Sequence, residues 1–168
     1  MKNYNDDNRL KISFKLNDEL LQKQVKPRQL LSDFLRFECG MTGTHVGCEH
    51  GICGACTILF NNEPIRSCLM LAPQIDNGEI TTIEGISENS TYDDLREAFK
   101  KYHALQCGFC TPGFLTTIVY LLEKKQYLSD EEIRKILSGN ICRCTGYTGI
   151  IKAVKEVMAN RFKRSVND

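Results

Sequence analysis

The sequence predicts an α+β protein built in two parts, strands first and helices after. Three observations carry this. In the first half apolar and polar residues alternate, as at Leu10, Ile12, Phe14 and Leu16, the period-2 signature of a half-buried strand. From about Thr91 the apolar residues recur at three- and four-residue intervals instead, as at Ile150, Ile151, Val154, Val157 and Met158. Eight of the nine cysteines fall into two compact sets, one in each half.

The elements follow in order. Residues 9–16 form the first strand, Asn17-Asp18 turns the chain, and residues 19–26 return beside it. Residues 28–37 carry Leu30, Leu31, Phe34 and Leu35 at helical spacing, with Pro27 suited to the first turn. Residues 57–60, 65–70 and 80–83 read as short strands, the first two joined by a hairpin turn at Asn61-Asn62. Residues 84–90 are polar and loop-like. Four helices then follow, at 92–102, at 113–125 just after Pro112, at 129–137 and at 149–161. The third of these opens on the capping box Ser129-Asp130-Glu131-Glu132 and stops at Gly139. Two domains are expected, residues 9–86 and residues 91–160, with one cysteine set each.

Bulk properties exclude more than they suggest. A length of 168 residues suits one domain or two small ones, and a formal charge of +1 points to neither nucleic acid nor an anionic membrane surface. Residues 1–7 are polar, without the apolar centre of a signal peptide, and no apolar run approaches a membrane span. A cytoplasmic location is therefore expected. Nine cysteines without a secretion signal favour metal binding over disulfides. There is no phosphate-binding G-x-x-x-x-G-K-[ST] loop, no G-x-G-x-x-G fingerprint and no G-x-S-x-G elbow. No acid–base cluster stands apart from the cysteines, so this chain alone should turn over no organic substrate.

The first set reads Cys48-x4-Cys53-x2-Cys56, followed by Cys68, which is the plant-type [2Fe–2S] spacing. Gly47, Gly51 and Gly54 let the loop wrap closely and turn its amides inward. The second set, Cys107-x2-Cys110 and Cys142-x-Cys144, offers four more thiolates in two close pairs. Zinc is the competing metal, since Cys107-x2-Cys110 alone would suit a zinc knuckle, but the first spacing resembles no common zinc module. A Rieske site would need two histidines at matching positions, and Cys48-x-His50 supplies only half of one. A thioredoxin-type dithiol would leave most of the cysteines unexplained. Cys39 lies outside both sets and reads as a small buried hydrophobe. His45, His50 and His103 read as loop or surface residues, and Arg161-Phe162-Lys163-Arg164 as a solvated helix end.

Four stretches in order resemble one family. They are Thr42 through Cys56, Arg66-Ser67-Cys68, Gln106-Cys107-Gly108-Phe109-Cys110-Thr111-Pro112-Gly113, and Gly139-Asn140-Ile141-Cys142-Arg143-Cys144-Thr145-Gly146-Tyr147. Together they resemble the small iron–sulfur subunit of the molybdenum hydroxylases, the xanthine oxidase and aerobic carbon monoxide dehydrogenase family, over roughly residues 9–160. The resemblance implies an N-terminal β-grasp plant-type ferredoxin domain and an all-α four-helix [2Fe–2S]-binding domain. It implies that Cys48, Cys53, Cys56 and Cys68 hold a distal cluster, and that Cys107, Cys110, Cys142 and Cys144 hold one proximal to molybdenum. Gln106 and Cys144 match positions beside the pterin. Molybdopterin and FAD are expected on a large catalytic and a medium flavin subunit, in a dimer of heterotrimers. The chain would then be the electron-transfer subunit of a molybdenum-dependent oxidoreductase. The alternative is a free-standing [2Fe–2S] ferredoxin, for which an acidic surface is usual and a helical half would lack purpose. A zinc-stabilised binding module is the third reading. The resemblance does not explain Cys39.

Overall fold

The computed structural model describes residues 8–124 and 127–162. The polar stretch 1–7, the expected helix end at Lys125, and Lys163-Arg164 of the tail lie outside them.

The N-terminal half is a mixed five-stranded sheet in the order β2-β1-β5-β3-β4. Strand β1 (Leu10–Leu16) pairs antiparallel with β2 (Glu19–Val25), Leu10 facing Val25 and Leu16 facing Glu19. On its other side it runs parallel to β5 (Glu79–Thr81), which in turn pairs antiparallel with β3 (Thr57–Phe60). The edge strand β4 (Glu63–Arg66) completes the sheet, and its edge position tolerates Pro64. Both hairpins turn on paired left-handed residues, Asn17-Asp18 and Asn61-Asn62, the geometry that matches the twist of the strands. One sheet face buries Ile12, Phe14, Ile58 and Ile80 against Leu31, Phe34 and Leu35, with Phe14 and Phe34 edge to face at 5.6 Å. This is the β-grasp ferredoxin arrangement.

Three expected boundaries differ, the first two because long-range hydrogen bonds override local pattern and the third because burial does. The helix read over 28–37 is a short α1 (Leu31–Asp33) passing into a π-turn, Phe34–Glu38. Leu30 stays extended and bridges Leu71, while Leu31 N–H donates to the Met70 carbonyl and Ala72 N–H to that of Gln29. Those bonds replace the first helical turn. The strand read over 65–70 starts at Glu63 and stops at Arg66; Ser67–Leu69 is a 3-10 turn. The Ser67 hydroxyl donates to the Cys56 carbonyl at 2.8 Å, which brings Cys68 back toward Cys56. The strand read over 80–83 ends at Thr81, and the polar stretch after it is a helix, α2 (Ile83–Glu88), whose Ile86 enters the second core.

The second half holds α3 (Asp93–Lys101), α4 (Thr111–Glu123), α5 (Asp130–Leu137) and α6 (Thr148–Arg161). With α1 and α2 the described residues contain six α-helices, of which these four make the helical half. The Ser129 capping box is present: Ser129 Oγ accepts from the Glu132 amide at 3.3 Å, and Glu132 accepts from the Ser129 amide at 2.8 Å. Leu95, Phe99, Phe114, Ile118, Ile133, Ile150, Val154 and Met158 form the core, each burial contributing about 2 kcal/mol. Leu59 of β3 reaches into it. Among the described residues no helix is long and apolar enough to cross a membrane.

The halves meet at a seam of backbone on backbone. A Cβ on Gly113, in the first turn of α4, would collide with the Gly54 carbonyl, and one on Gly54 would collide with the Gly139 carbonyl. Gly54 also sits at φ +72°, a left-handed backbone that side chains disfavour. Asn140, 2% exposed, donates to the Gly54 carbonyl at 3.0 Å and accepts from Thr117 Oγ1 at 3.0 Å. Arg66 spans the same seam, donating to Thr57 Oγ1 and to the Gly139 carbonyl. We expect Gly113→Ala to cost about 2 kcal/mol by overpacking, read as a thermal midpoint lower by about 4–8 °C. A midpoint equal to the parent's would refute the close approach.

Candidate metal centres

Each cysteine set is gathered by elements that differ in kind. The first sits on the loop between the π-turn and β3, with Cys68 supplied by the 3-10 turn after β4. Gly51, at φ +82°, packs its bare Cα against Leu69, so a side chain there would displace the turn that carries Cys68. The amides of Cys53 and His50 point at the Cys48 sulfur and pull its thiol down to about 6. Cys53 N–H lies 3.4 Å from that sulfur. Cys56 and Cys68 are both buried, and burial, with Cys56 as neighbour, pushes the Cys68 thiol up to about 11.

The second set lies on two connections, one between α3 and α4 and one between α5 and α6. Cys107 and Cys110 precede α4, and Cys142 and Cys144 lie in the turn leading to α6. The Cys107 and Cys144 sulfurs are 3.6 Å apart and exposed, and the contact holds the Cys144 thiol above its ordinary value. Cys110 pairs with Cys142; burial first, then that partner, raises its thiol to about 12. Burial is also the largest influence on Cys142 and acts upward. The Thr145 hydroxyl and amide and the Cys144 amide outweigh it, and the thiol lies below its ordinary value.

The sulfurs of each set therefore meet two by two: Cys48 with Cys53, Cys56 with Cys68, Cys107 with Cys144, and Cys110 with Cys142. Metal binding would require these thiols to lose their protons. Among the described residues no three His, Cys, Asp or Glu side chains are grouped for a single ion. A [2Fe–2S] centre asks for two thiolates on each of two irons, so this donor set fits it. Thr111 Oγ1, next to Cys110, is buried without a hydrogen-bond partner among the described residues, as expected beside a group with acceptor sulfides.

The two loops are tied directly. Ile141 N–H donates to the Cys53 carbonyl at 2.8 Å, so one hydrogen bond joins a residue of the first set to the neighbour of one in the second. His45, read from sequence as a plain loop residue, stacks on Phe109 at 4.9 Å, with its Nδ1 2.8 Å from the Phe109 carbonyl. His45 thus clamps the loop of the first set to that of the second. His50 and His103 are exposed loop residues. Gln106 is exposed beside Cys107. Cys39 is half-buried against the sheet core, away from both sets, and burial raises its thiol to about 11.

The comparisons agree with this layout. Residues 14–82 match the 2Fe-2S iron-sulfur cluster binding domain family, and residues 82–155 match the [2Fe-2S] binding domain family. The solved quinoline 2-oxidoreductase from Pseudomonas putida 86 superimposes with a TM-score of 0.86 at 44% identity, covering 94% of this chain and 98% of that one. Caffeine dehydrogenase subunit gamma of Pseudomonas sp. (strain CBB1) is 52% identical over 149 residues, 87% of this chain and 89% of its own. The nicotinate dehydrogenase small FeS subunit of Eubacterium barkeri is 43% identical over 148 residues, 88% of this chain and 94% of its own. The chain belongs to the small iron–sulfur subunits of the molybdenum hydroxylases. It is an electron-transfer subunit of such a complex rather than a free-standing ferredoxin, and it carries two [2Fe–2S]-binding domains.

Sequence reasoning passed over Arg66, Asn140, His45 and Thr145, whose roles depend on which loops come together. Cys39→Ala should leave the iron content of the chain unchanged, at a stability cost of about 1 kcal/mol. Loss of iron in that variant would make Cys39 a ligand.

Proposed function

We propose that Cys48, Cys53, Cys56 and Cys68 hold one [2Fe–2S] centre and that Cys107, Cys110, Cys142 and Cys144 hold the other. The meeting of the cysteine sulfurs in pairs within each loop set supports this reading. When bound, such centres supply one-electron carriage at potentials set by charge, burial and hydrogen bonds to sulfur.

The chain's own part is to position and insulate. The seam residues Gly54, Gly113 and Asn140 fix the spacing of the two loops, and the Cys53–Ile141 hydrogen bond gives a short bonded route between them. We propose that electrons enter at the helical-half centre and leave from the other. The exposure of Cys107, Cys144 and Gln106 supports an entry point open to a partner, with Gln106 and Cys144 against the edge of a molybdopterin on that partner. The Gln106 amide can both donate to and accept from a pterin ring. The partners are a large molybdopterin-binding catalytic subunit and a medium FAD-binding subunit, in a dimer of heterotrimers in the cytoplasm. Exposed Ile52, Leu69, Leu105, Phe109 and Ile141, all in or beside the two cysteine loops, support a surface made to be covered. The organisation proposed is two domains, residues 9–86 and 91–160, which the two cores support, with Leu59 and Ile86 of the first packing into the core of the second. Caffeine, nicotinate and quinoline, named in the three relatives above, are nitrogen heterocycles, and we extend that class to the substrate of the assembled complex.

The test is iron, acid-labile sulfide and zinc content of anaerobically isolated chain, with EPR after dithionite reduction. About four irons and four sulfides, with two S = 1/2 signals, are expected. Cys144→Ser should remove one signal and leave the other. Stoichiometric zinc without sulfide would overturn the reading.

A further inference from the structure

The turn Cys142-Arg143-Cys144-Thr145-Gly146-Tyr147 carries a side chain that metal ligation does not require. Thr145 directs two donors at one sulfur: its amide lies 3.4 Å and its hydroxyl oxygen 3.1 Å from Cys142 Sγ. The hydroxyl's orientation is fixed from the other side. The Tyr147 amide lies 3.2 Å from Thr145 Oγ1, and an amide N–H can only donate, so it occupies a lone pair of that oxygen. The hydroxyl proton is left for the sulfur.

A further hydrogen bond pins the same turn. Cys142 N–H donates to Tyr147 Oη at 3.0 Å, Tyr147 N–H donates to Thr145 Oγ1, and Thr145 O–H donates to Cys142 Sγ. Tyr147 achieves this from φ +66°, an unusual backbone for an aromatic residue, held by edge-on packing of its ring on Phe114 at 6.2 Å. The Tyr147 amide, the Thr145 hydroxyl and the Cys142 sulfur form a two-bond relay whose members polarise one another, and Cys142 is only 7% exposed. Among the described residues this is the one side-chain hydroxyl bonded to a cysteine sulfur; Cys48 of the first set is served by backbone amides.

A donor aimed at a ligand sulfur favours the more negatively charged, reduced state of a centre. We propose that the Thr145 hydroxyl, oriented by the Tyr147 amide, raises the reduction potential of the centre held by Cys107, Cys110, Cys142 and Cys144. The proposal rests on the ligand assignment made above. Thr145 is a positioning residue: it touches a ligand, and it sets how readily the helical half accepts an electron relative to the sheet half.

The experiment is a potentiometric titration, followed by EPR, of the full chain carrying both centres, with the signals assigned by Cys144→Ser. In Thr145→Val the reduced-to-oxidised ratio of the second centre at fixed potential should fall about tenfold, which for a one-electron couple is about 59 mV. The first centre should not move, and Thr145→Ser, which keeps the hydroxyl, should match the parent. An unshifted valine variant, or a serine variant shifted as far as valine, overturns the proposal. If Thr145→Val does not retain the second centre, Thr145→Ala is titrated under the same criteria. The parent's iron–thiolate stretching band is also recorded in H2O and D2O; a band indifferent to deuterium overturns the proposal without any variant. A parent lacking a second S = 1/2 signal would instead overturn the ligand assignment itself.

Discussion

The structure depends on one close approach. At Gly54 and Gly113 the backbone of one half comes nearer to that of the other, including the Gly139 carbonyl, than any side chain allows. Contact of that kind leaves peptide carbonyls facing peptide groups, and they must find donors or forfeit about 1–3 kcal/mol each. Asn140 and Arg66 are those donors, and Thr57 and Thr117 complete the network. Remove the glycines and the loops part; remove the polar side chains and the carbonyls are stranded. The seam is thus both a steric fit and a hydrogen-bonding requirement, and neither works without the other.

What the seam positions is the pair of cysteine loops. The first loop reaches β3 through Gly54, and the second leaves α5 through Gly139-Asn140, so the residues that lock the halves are also the ones that lead into the cysteine sets. Local rigidity at the sulfurs is inherited from the interface. This suits a protein whose work is to hold two redox sites at fixed separation, since a carrier that flexed between them would vary its own rate.

Legibility in the sequence follows range of interaction. The hairpins at Asn17-Asp18 and Asn61-Asn62, the Ser129 cap and the helical face of α6 were readable because turns, caps and amphipathic faces are decided by residues a few positions apart. The π-turn after α1 was not readable, because the bonds from Leu31 to Met70 and from Ala72 to Gln29 come from forty residues away. Helix α2 hid behind polar residues; its signal was only Ile83 and Ile86, three apart. At the sites, spacing suggested which cysteines belong together, but it carried no trace of His45 stacking on Phe109 or of Asn140 reaching Gly54. Those partners become neighbours only once the seam has closed.

The two cysteine sets differ in shelter at two of their four positions. Cys56 and Cys68 lie inside the fold, whereas Cys107 and Cys144 open onto solvent. For a lone subunit this amounts to a schedule. Iron held at the outward set is within reach of dioxygen, peroxide and chelators from the moment it is inserted. In the first set Cys56 and Cys68 are shielded by their own polypeptide, and Cys48 and Cys53 are half-buried. The outward set acquires an equivalent shield only from another protein, so biogenesis of such a subunit favours insertion of its exposed centre late and docking soon afterwards.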